Sequence, residues 1–284
     1  MKDKILGYLW PGLLILFLAG LVDCQSPEPP QLSLIQDRGE LRVVTIYSPA
    51  TYFIDADSET GFEYELSRLF AEHLGVDLKI VIATNKAEVI NILLQGDADI
   101  AVGLIRQTFE DNDDLVPVRD YYPVRQQVMY KYGLDRPRTP DDLYPFQLHI
   151  PGGLIRPGRL LVLKAEYPDF SWTFHSDKSS TEVVEMIENE EIAYAAIYSN
   201  ELMLAQHAYP ELRAGFDLTE ATPLSWFIHR STDISLYQEI NLFFQNMEDN
   251  ENLAELIEYF YGPVMKFDYV DQIRFVSRIS SRLP

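Results

Sequence analysis

The sequence predicts an α/β protein built as two lobes, each a mostly parallel sheet with helices on its faces. Three observations carry that prediction. Leu41–Ile46 is a near-continuous apolar run rich in Val and Ile, the pattern of a strand covered on both sides. An amphipathic helical stretch and a second apolar run follow it, which makes a βαβ unit. After a turn-rich break at Asp135-Arg136-Pro137-Arg138-Thr139-Pro140, a second βαβ series begins.

In the first series the helix opens at Thr60-Gly61. Phe62, Leu66, Leu69, Phe70 and Leu74 recur at helical spacing, with Glu63, Glu65, Arg68 and Glu72 expected to face away. Gly75 stops that helix and Leu78–Ile82 is the second strand. The loop Tyr47-Ser48-Pro49-Ala50-Thr51-Tyr52-Phe53 leaves the carboxyl end of the first strand, where open α/β sheets bind ligands. Tyr47, Ser48, Tyr52 and Phe53 are therefore candidate ligand contacts; the alternative is a loop whose aromatics cover a sheet edge. Glu88–Leu94 is a short helix, and Ile100–Leu104 a strand containing Gly103, with Arg106 just beyond it. Asp97 and Asp99 sit in a Gly-containing turn and are expected to bond local backbone rather than form a catalytic pair. Gln126–Tyr132 alternates like an extended connecting strand.

In the second series Phe146–Ile150 is a strand, and Pro151-Gly152-Gly153 stands before a helix running to Lys164. Gly152 and Gly153 either present N–H donors at a helix N-terminus or serve only to turn the chain. Ser171–Phe174 is a strand, Ser179-Ser180-Thr181-Glu182 a capping box opening a helix, and Ile192–Ile197 a buried strand. Tyr198 and Ser199 follow that strand and join the candidate contacts, with a helix from Asn200. Leu224–His229 reads as the strand returning to the first half, followed by helices at Leu236–Met247 and Leu253–Tyr261 and a short amphipathic stretch around Ile273, Val276 and Ile279.

With 284 residues, 47% of them hydrophobic, the chain can bury a full core. Its net charge of −21 repels nucleic acid, and no basic stripe offsets it. At the N-terminus, Lys2 and Lys4 precede an apolar run from Ile5 to Val22, which reads as a secretory signal or a membrane anchor. Cys24, the single cysteine, stands where bacterial lipoproteins carry their lipidation cysteine, with an uncleaved anchor as the alternative. Either way the body is expected outside the cytoplasm, in the periplasm, tethered to a membrane, with residues 25–33 as a linker. The histidines (His73, His149, His175, His207, His229) show no metal-ligand spacing, and there is no nucleophile elbow, phosphate loop or paired cysteine. No cofactor is expected.

Two α/β lobes linked by two extended crossings and finished by a helix pair resemble a type 2 periplasmic binding protein. The segments Leu41-Arg42-Val43, Gly61-Phe62-Glu63-Tyr64-Glu65-Leu66 and Gly96-Asp97-Ala98-Asp99 resemble the members that bind polar amino acids. Arg136-Pro137-Arg138-Thr139, Tyr167-Pro168-Asp169-Phe170-Ser171-Trp172, Tyr209-Pro210-Glu211-Leu212 and Phe267-Asp268-Tyr269-Val270-Asp271 are similar to the sensor half of the membrane-bound lytic murein transglycosylase F family. The resemblance places the first lobe at 34–132 and 224–266, the second at 133–223, and an extension at 267–284. In that family a lysozyme-like domain with a catalytic Glu-Ser motif follows; this chain has no Glu-Ser pair and stops at Leu283-Pro284. The resemblance thus implies a non-catalytic solute-binding or sensor module for a small molecule or peptide, such as a peptidoglycan fragment. Its partner would be a separate transglycosylase or another envelope protein. A transglycosylase whose catalytic domain is missing or separately encoded, and an amino-acid transporter's binding protein, stay open as alternatives. Amino-acid binders of the superfamily hold the ligand carboxylate with an Arg after the strand Ile100–Leu104, where this chain has Glu110, with Arg106 and Arg119 nearest. They hold the ammonium with an Asp where this chain has Tyr198. That loss of charge matching disfavours a free amino acid.

Overall fold

The structure, a computed structural model, describes residues 29–105, 112–152, 157–231 and 233–262. Helix α1 (Gln31–Arg38) leads into β1 (Glu40–Ile46), a small hairpin of β2 (Phe53–Asp55) and β3 (Ser58–Thr60), α2 (Phe62–Leu74), β4 (Asp77–Ala83), α3 (Lys86–Leu94), β5 (Ile100–Ile105) and β6 (Leu115–Val124). The chain then crosses into a second sheet through β7 (Gln126–Lys131), β8 (Leu148–Pro151), α4 (Pro157–Glu166), β9 (Trp172–His175), α5 (Ser180–Glu188), β10 (Tyr194–Tyr198), α6 (Ser199–Ala208) and β11 (Leu212–Asp217). It returns through β12 (Thr222–His229) and ends in α7 (Ser235–Asp249) and α8 (Asn252–Tyr261). The first sheet runs β4-β1-β5-β12-β6 and the second β11-β7-β10-β8-β9. The two-lobed α/β architecture is therefore the one the sequence predicts.

Both sheets are buried on both faces, which is why their strands read as apolar runs. In the first lobe Leu41, Val43, Ile100 and Val102 join Phe62, Phe70, Trp226, Phe243 and Phe244 in one core, while Val44 and Ala101 join Val89 and Leu93 in another. Strict alternation would put Leu104 with Ile100 and Val102, yet it belongs to the opposite core. The cause is Gly103, whose φ of +71° sets a left-handed residue in the middle of β5 and inverts the faces beyond it. The β5–β12 register shifts between Ser225 and Phe227, at the same level.

Three sequence expectations change. Glu63 and Glu65 do not face away from the core; both are buried, because α2 lies in the angle between the first sheet and α8 and Glu63 finds hydrogen-bond donors there. Gln126–Lys131 is no mere connector but an interior strand between β11 and β10, and the crossing itself is made at Arg125. The strand β6, unread in the sequence before Tyr121, contains Pro117 and Pro123, which argue against a central strand. It occupies the sheet edge, where its prolines sit opposite Phe227 and Pro223 and the register shifts nearby.

The two crossings run side by side. Leu218 N–H donates to the Gln126 carbonyl at 2.7 Å and Gln126 N–H to Thr219 Oγ1 at 3.0 Å, while Arg125 pairs with Asp217 at 2.8 Å. The α2 entry is fixed by Gly61, whose φ is +127° and whose Cα lies against the Thr51 carbonyl. A methyl there would collide with that oxygen and be strained in its own backbone. Gly61→Ala is expected to cost about 3 kcal/mol or more, read as a lowered Tm; an unchanged Tm would show that the loop–helix junction yields.

Candidate functional site

A cleft of about 1360 Å³ opens between the two sheets. Its lining comes from the carboxyl ends of parallel strands in both lobes, as expected for ligand sites of open α/β sheets. Beyond β1 stand Tyr47 and Ser48; beyond β4 stand Thr84, Asn85 and Lys86; β5 contributes Gly103. From the second lobe come Gly152 after β8, Ser176–Glu182 after β9, and Tyr198 with Asn200 and Glu201 at the end of β10. The β2–β3 hairpin adds Phe53, Asp55, Ser58 and Thr60, and α8 adds Tyr259 and Phe260. The N-termini of α3, α5 and α6 all reach the cleft, so three helix dipoles present their positive ends to it.

The first βα loop is tied by its own hydrogen bonds. Ser48 N–H donates to the Tyr52 carbonyl and Thr51 N–H to the Ser48 carbonyl, each at 3.0 Å, and the Thr51 hydroxyl bonds the Ile46 carbonyl. This loop separates the sequence candidates. Tyr47, half exposed, Ser48 and Phe53 line the cleft. Tyr52 does not: its ring is buried, packed between Tyr47 and Tyr64 at 6.2 and 5.7 Å. Its hydroxyl donates to Glu59 Oε1 at 2.7 Å, a bond that helps push the phenol up to about 12. Alternation explains the difference, since Tyr52 and Phe53 are consecutive and extended, so they face opposite ways.

In the second lobe Gly152 and Tyr198 line the cleft, whereas Ser199 serves the crossing: its Oγ accepts from Arg125 N–H at 3.2 Å and its own N–H donates to the Arg125 carbonyl at 2.9 Å. Gly152 is not at a helix start. Helix α4 begins at Pro157, a residue suited to a first helical position because its missing N–H has no intrahelical partner to lose. The cleft face of Gly152 instead lies against the Ser176 backbone, and its N–H reaches the Lys178 carbonyl at 3.4 Å. Arg106, Glu110, Gly153 and Cys24 lie outside the described residues. Arg119, the other candidate carboxylate anchor, pairs with Glu248 on α7 and does not line the cleft. Asp99 does more than stabilise its turn: it is buried and binds Arg42 at 2.8 Å together with Arg38, anchoring β1 and the end of α1. His149 and His175, read singly in the sequence, meet across β8 and β9 with Nδ1 and Nε2 2.8 Å apart.

At the floor of the first-lobe wall lies Glu63, 1% exposed. Its carboxylate accepts from the Tyr121 hydroxyl, from Trp226 Nε1 at 3.1 Å and from the Gly103 backbone N–H. Burial still dominates and lifts the carboxyl to about 7, while the three donors oppose that rise. Helical spacing placed Glu63 among the outward-facing residues of α2, and Lys86 and Glu201 were not among the candidate contacts. The signal that could have found Lys86 was its place just beyond an apolar strand, the criterion that picked out Tyr47.

Residues 41–263 match the family model of bacterial extracellular solute-binding proteins, family 3. The membrane-bound lytic murein transglycosylase F of Vibrio cholerae is 37% identical over 97% of this chain and 54% of its own length. Those of Serratia proteamaculans and Pectobacterium atrosepticum are each 36% identical over 100% of the chain, and 59% and 60% of their lengths are covered. The chain thus spans little more than half the length of these curated relatives and matches their N-terminal part. Among solved structures, an ancestral cationic amino acid solute binding protein superposes with a TM-score of 0.68 at 21% identity, covering 81% of this chain and 99% of its own. An amino acid ABC transporter substrate-binding protein of Streptococcus pneumoniae, bound to L-arginine, gives 0.64 at 16%, covering 81% and 97%. At such identities the likeness is one of fold.

Two outcomes follow from the cleft geometry. The unfolded Glu63 carboxyl titrates near 4.5 and the folded one near 7. Below 4.5 the neutral acid contributes its full stabilisation, and this is lost as pH rises through 7. Relative to Glu63→Gln, the wild type should therefore lose about 3 kcal/mol of stability between those limits in denaturant titrations. A parallel pH profile in the two proteins would refute it. Tyr52→Ala should cost about 3 kcal/mol by the same measurement, as the loss of a buried ring does.

Proposed function

The chain belongs to the bacterial extracellular solute-binding proteins, family 3, and from that premise we propose that it is a non-catalytic periplasmic module that closes its two lobes on a small polar ligand, a peptidoglycan-derived peptide. The observation that carries this reading is the cleft between the carboxyl ends of the two sheets. At about 1360 Å³ it exceeds the volume typical of drug-sized sites, roughly 300–1,000 Å³, and so suits a peptide better than one amino acid. Its aromatic walls at Tyr47, Phe53, Tyr198 and Tyr259 suit apolar bulk, and its hydroxyls and helix N-termini suit carboxylates and amides. Neither Arg119 nor Tyr198 supplies the Arg–Asp pair of amino-acid binders. The Arg125 and 218–221 crossings, bonded to each other but short, form the hinge about which the lobes rotate.

The names of the relatives, membrane-bound transglycosylases, support a tethered, extracytoplasmic body, and a peptidoglycan fragment fits that location. Recognition belongs to this chain in the present reading, and cleavage to a separate transglycosylase or other envelope partner. Among the described residues no helix is long and apolar enough to cross a membrane, so the tether falls to the N-terminal segment, through Cys24 or the apolar run. Metabolic labelling with a fatty acid should mark the wild type and not Cys24→Ala; an unlabelled wild type would point to an uncleaved anchor.

Calorimetry of the full chain against peptidoglycan stem peptides and free amino acids tests the binding role. Stem peptides should bind, and Tyr47→Ala should weaken them about tenfold with little change in Tm, since this ring stacks at the rim and is half exposed. Tight binding of glutamate or glutamine, unaffected by that change, would return the chain to the amino-acid binders. Release of anhydro-muropeptides from murein sacculi by the purified chain, above a heat-killed control, would overturn the non-catalytic assignment.

A further inference from the structure

The segment Arg136-Pro137-Arg138-Thr139 takes no part in the cleft, yet its first three residues border a second cavity of about 430 Å³. The other walls are Gln127 on β7 and Ala214, Gly215, Phe216 and Asp217 on β11, and none of them is shared with the cleft. The opening comes from β11 itself, whose register against β7 shifts between Ala214 and Asp217. Pro137 is buried against that irregularity: a Cβ on Gly215 would lie 2.8 Å from its Cγ, so a side chain there would displace the ring. The ring fixes its own φ and keeps Arg136 extended, which holds the backbone of the segment in one course. Beyond it, the N–H groups of Arg138 and Thr139 both donate to Asp142 Oδ2 at 2.8 Å. The two arginine side chains stay exposed on this pinned backbone. Arg136 Nη2 reaches the Gly215 carbonyl only at 3.5 Å, the limit of a hydrogen bond. Asp217, the one acid lining the cavity, is already paired with Arg125 at 2.8 Å. On a chain of net charge −21, a single cavity thus gathers two cations and an acid that is already neutralised.

We propose that this cavity is a second ligand site, separate from the cleft, which takes a small organic dianion through Arg136 and Arg138. A guanidinium meets the oxygens of a carboxylate or a phosphate with two parallel N–H donors. Two of them at the mouth of one cavity suit a double negative charge. Pro137 and Phe216 add an apolar wall, so an anion carrying a short carbon skeleton fits better than a bare ion. The volume lies within the range of small-molecule sites, roughly 300–1,000 Å³. A dicarboxylate and a phosphate monoester offer this same chemistry, and the choice between them is read by experiment. The site stands at the joint between the lobes, because Asp217 bonds Arg125 and Gln127 follows Gln126, whose N–H donates to Thr219 Oγ1.

The probes are succinate and glycerol 3-phosphate, titrated calorimetrically into the full chain at constant ionic strength. At least one should bind saturably, and the one that does tells a dicarboxylate from a phosphate ester. Arg136→Gln and Arg138→Gln should each weaken that binding about tenfold or more. Arg138→Lys should restore only part of it, because an ammonium cannot meet two oxygens as a fork. Arg213→Gln removes the same charge from β11 outside the cavity and should leave the affinity unchanged, as should Tyr47→Ala in the cleft. An equal loss in Arg213→Gln would show a diffuse effect of charge and overturn the inference. A loss in Tyr47→Ala would place the anion in the cleft and overturn it too, as would the absence of saturable binding by either probe. Melting curves check that the variants are folded; if a Gln variant melts early, Arg138→Lys against Arg213→Gln decides.

Discussion

Glu63 is the interaction on which the first lobe depends. A carboxylate in the first turn of α2 enters the core and collects donors from three different strands: Tyr121 on β6, Trp226 on β12 and the Gly103 N–H on β5. That arrangement needs a glycine at 103, because its φ of +71° is left-handed and a Cβ there would lie 2.5 Å from Thr51 Cγ2 and 3.3 Å from Glu63 Cγ. The same backbone excursion sends Leu104 to the opposite core. One buried acid therefore links the position of a helix, the bend of a central strand and, through Gly103 and Thr51, the first βα loop. Burying it is costly, and the hydrogen bonds offset only part of that cost, which is why its proton is held so firmly.

Trp226, which donates to Glu63, also centres the aromatic core. It packs edge-on against Phe70 and Phe244 at 5.6 and 5.0 Å and stacks on Phe243 at 6.2 Å. The helix pair α7 and α8 thereby clamps α2 from outside, while Tyr259 and Phe260 of α8 extend to the cleft. Core and site share walls in this lobe. In the second lobe they are more separate, since α4 and α5 cover opposite faces of the sheet and the cleft takes strand ends, helix starts and α6 along its length.

The joint between the lobes is slight by comparison. Arg125 and the 218–221 segment carry the chain across, held by a few backbone bonds and one exposed ion pair worth little in water. Ser199 bonds Arg125 from the start of α6, the same helix that bears Glu201. The start of α6 thus joins the crossing to the cleft, through Ser199 on one side and Asn200 and Glu201 on the other.

The alternation of apolar runs with amphipathic helices was enough, from sequence alone, to read the two α/β lobes, the Ser179 capping box and the closing helix pair, whereas the crossing falls at Arg125, ahead of the turn-rich break at Asp135–Pro140. These are local signals, carried by periodicity, caps and turn residues. Tyr47, Ser48, Phe53, Gly103, Gly152 and Tyr198 were legible as residues lining the cleft because strand ends are legible. Tertiary structure alone decided the rest. Periodicity cannot show that an acid at the start of α2 meets donors from three distant strands, nor that prolines in β6 are tolerated because that strand is at an edge. It also cannot show that Tyr52 turns into the protein while its neighbour Phe53 turns into the cleft. Lys86 and Glu201 are 115 positions apart in the chain, and only the folding of both lobes brings them to one cleft.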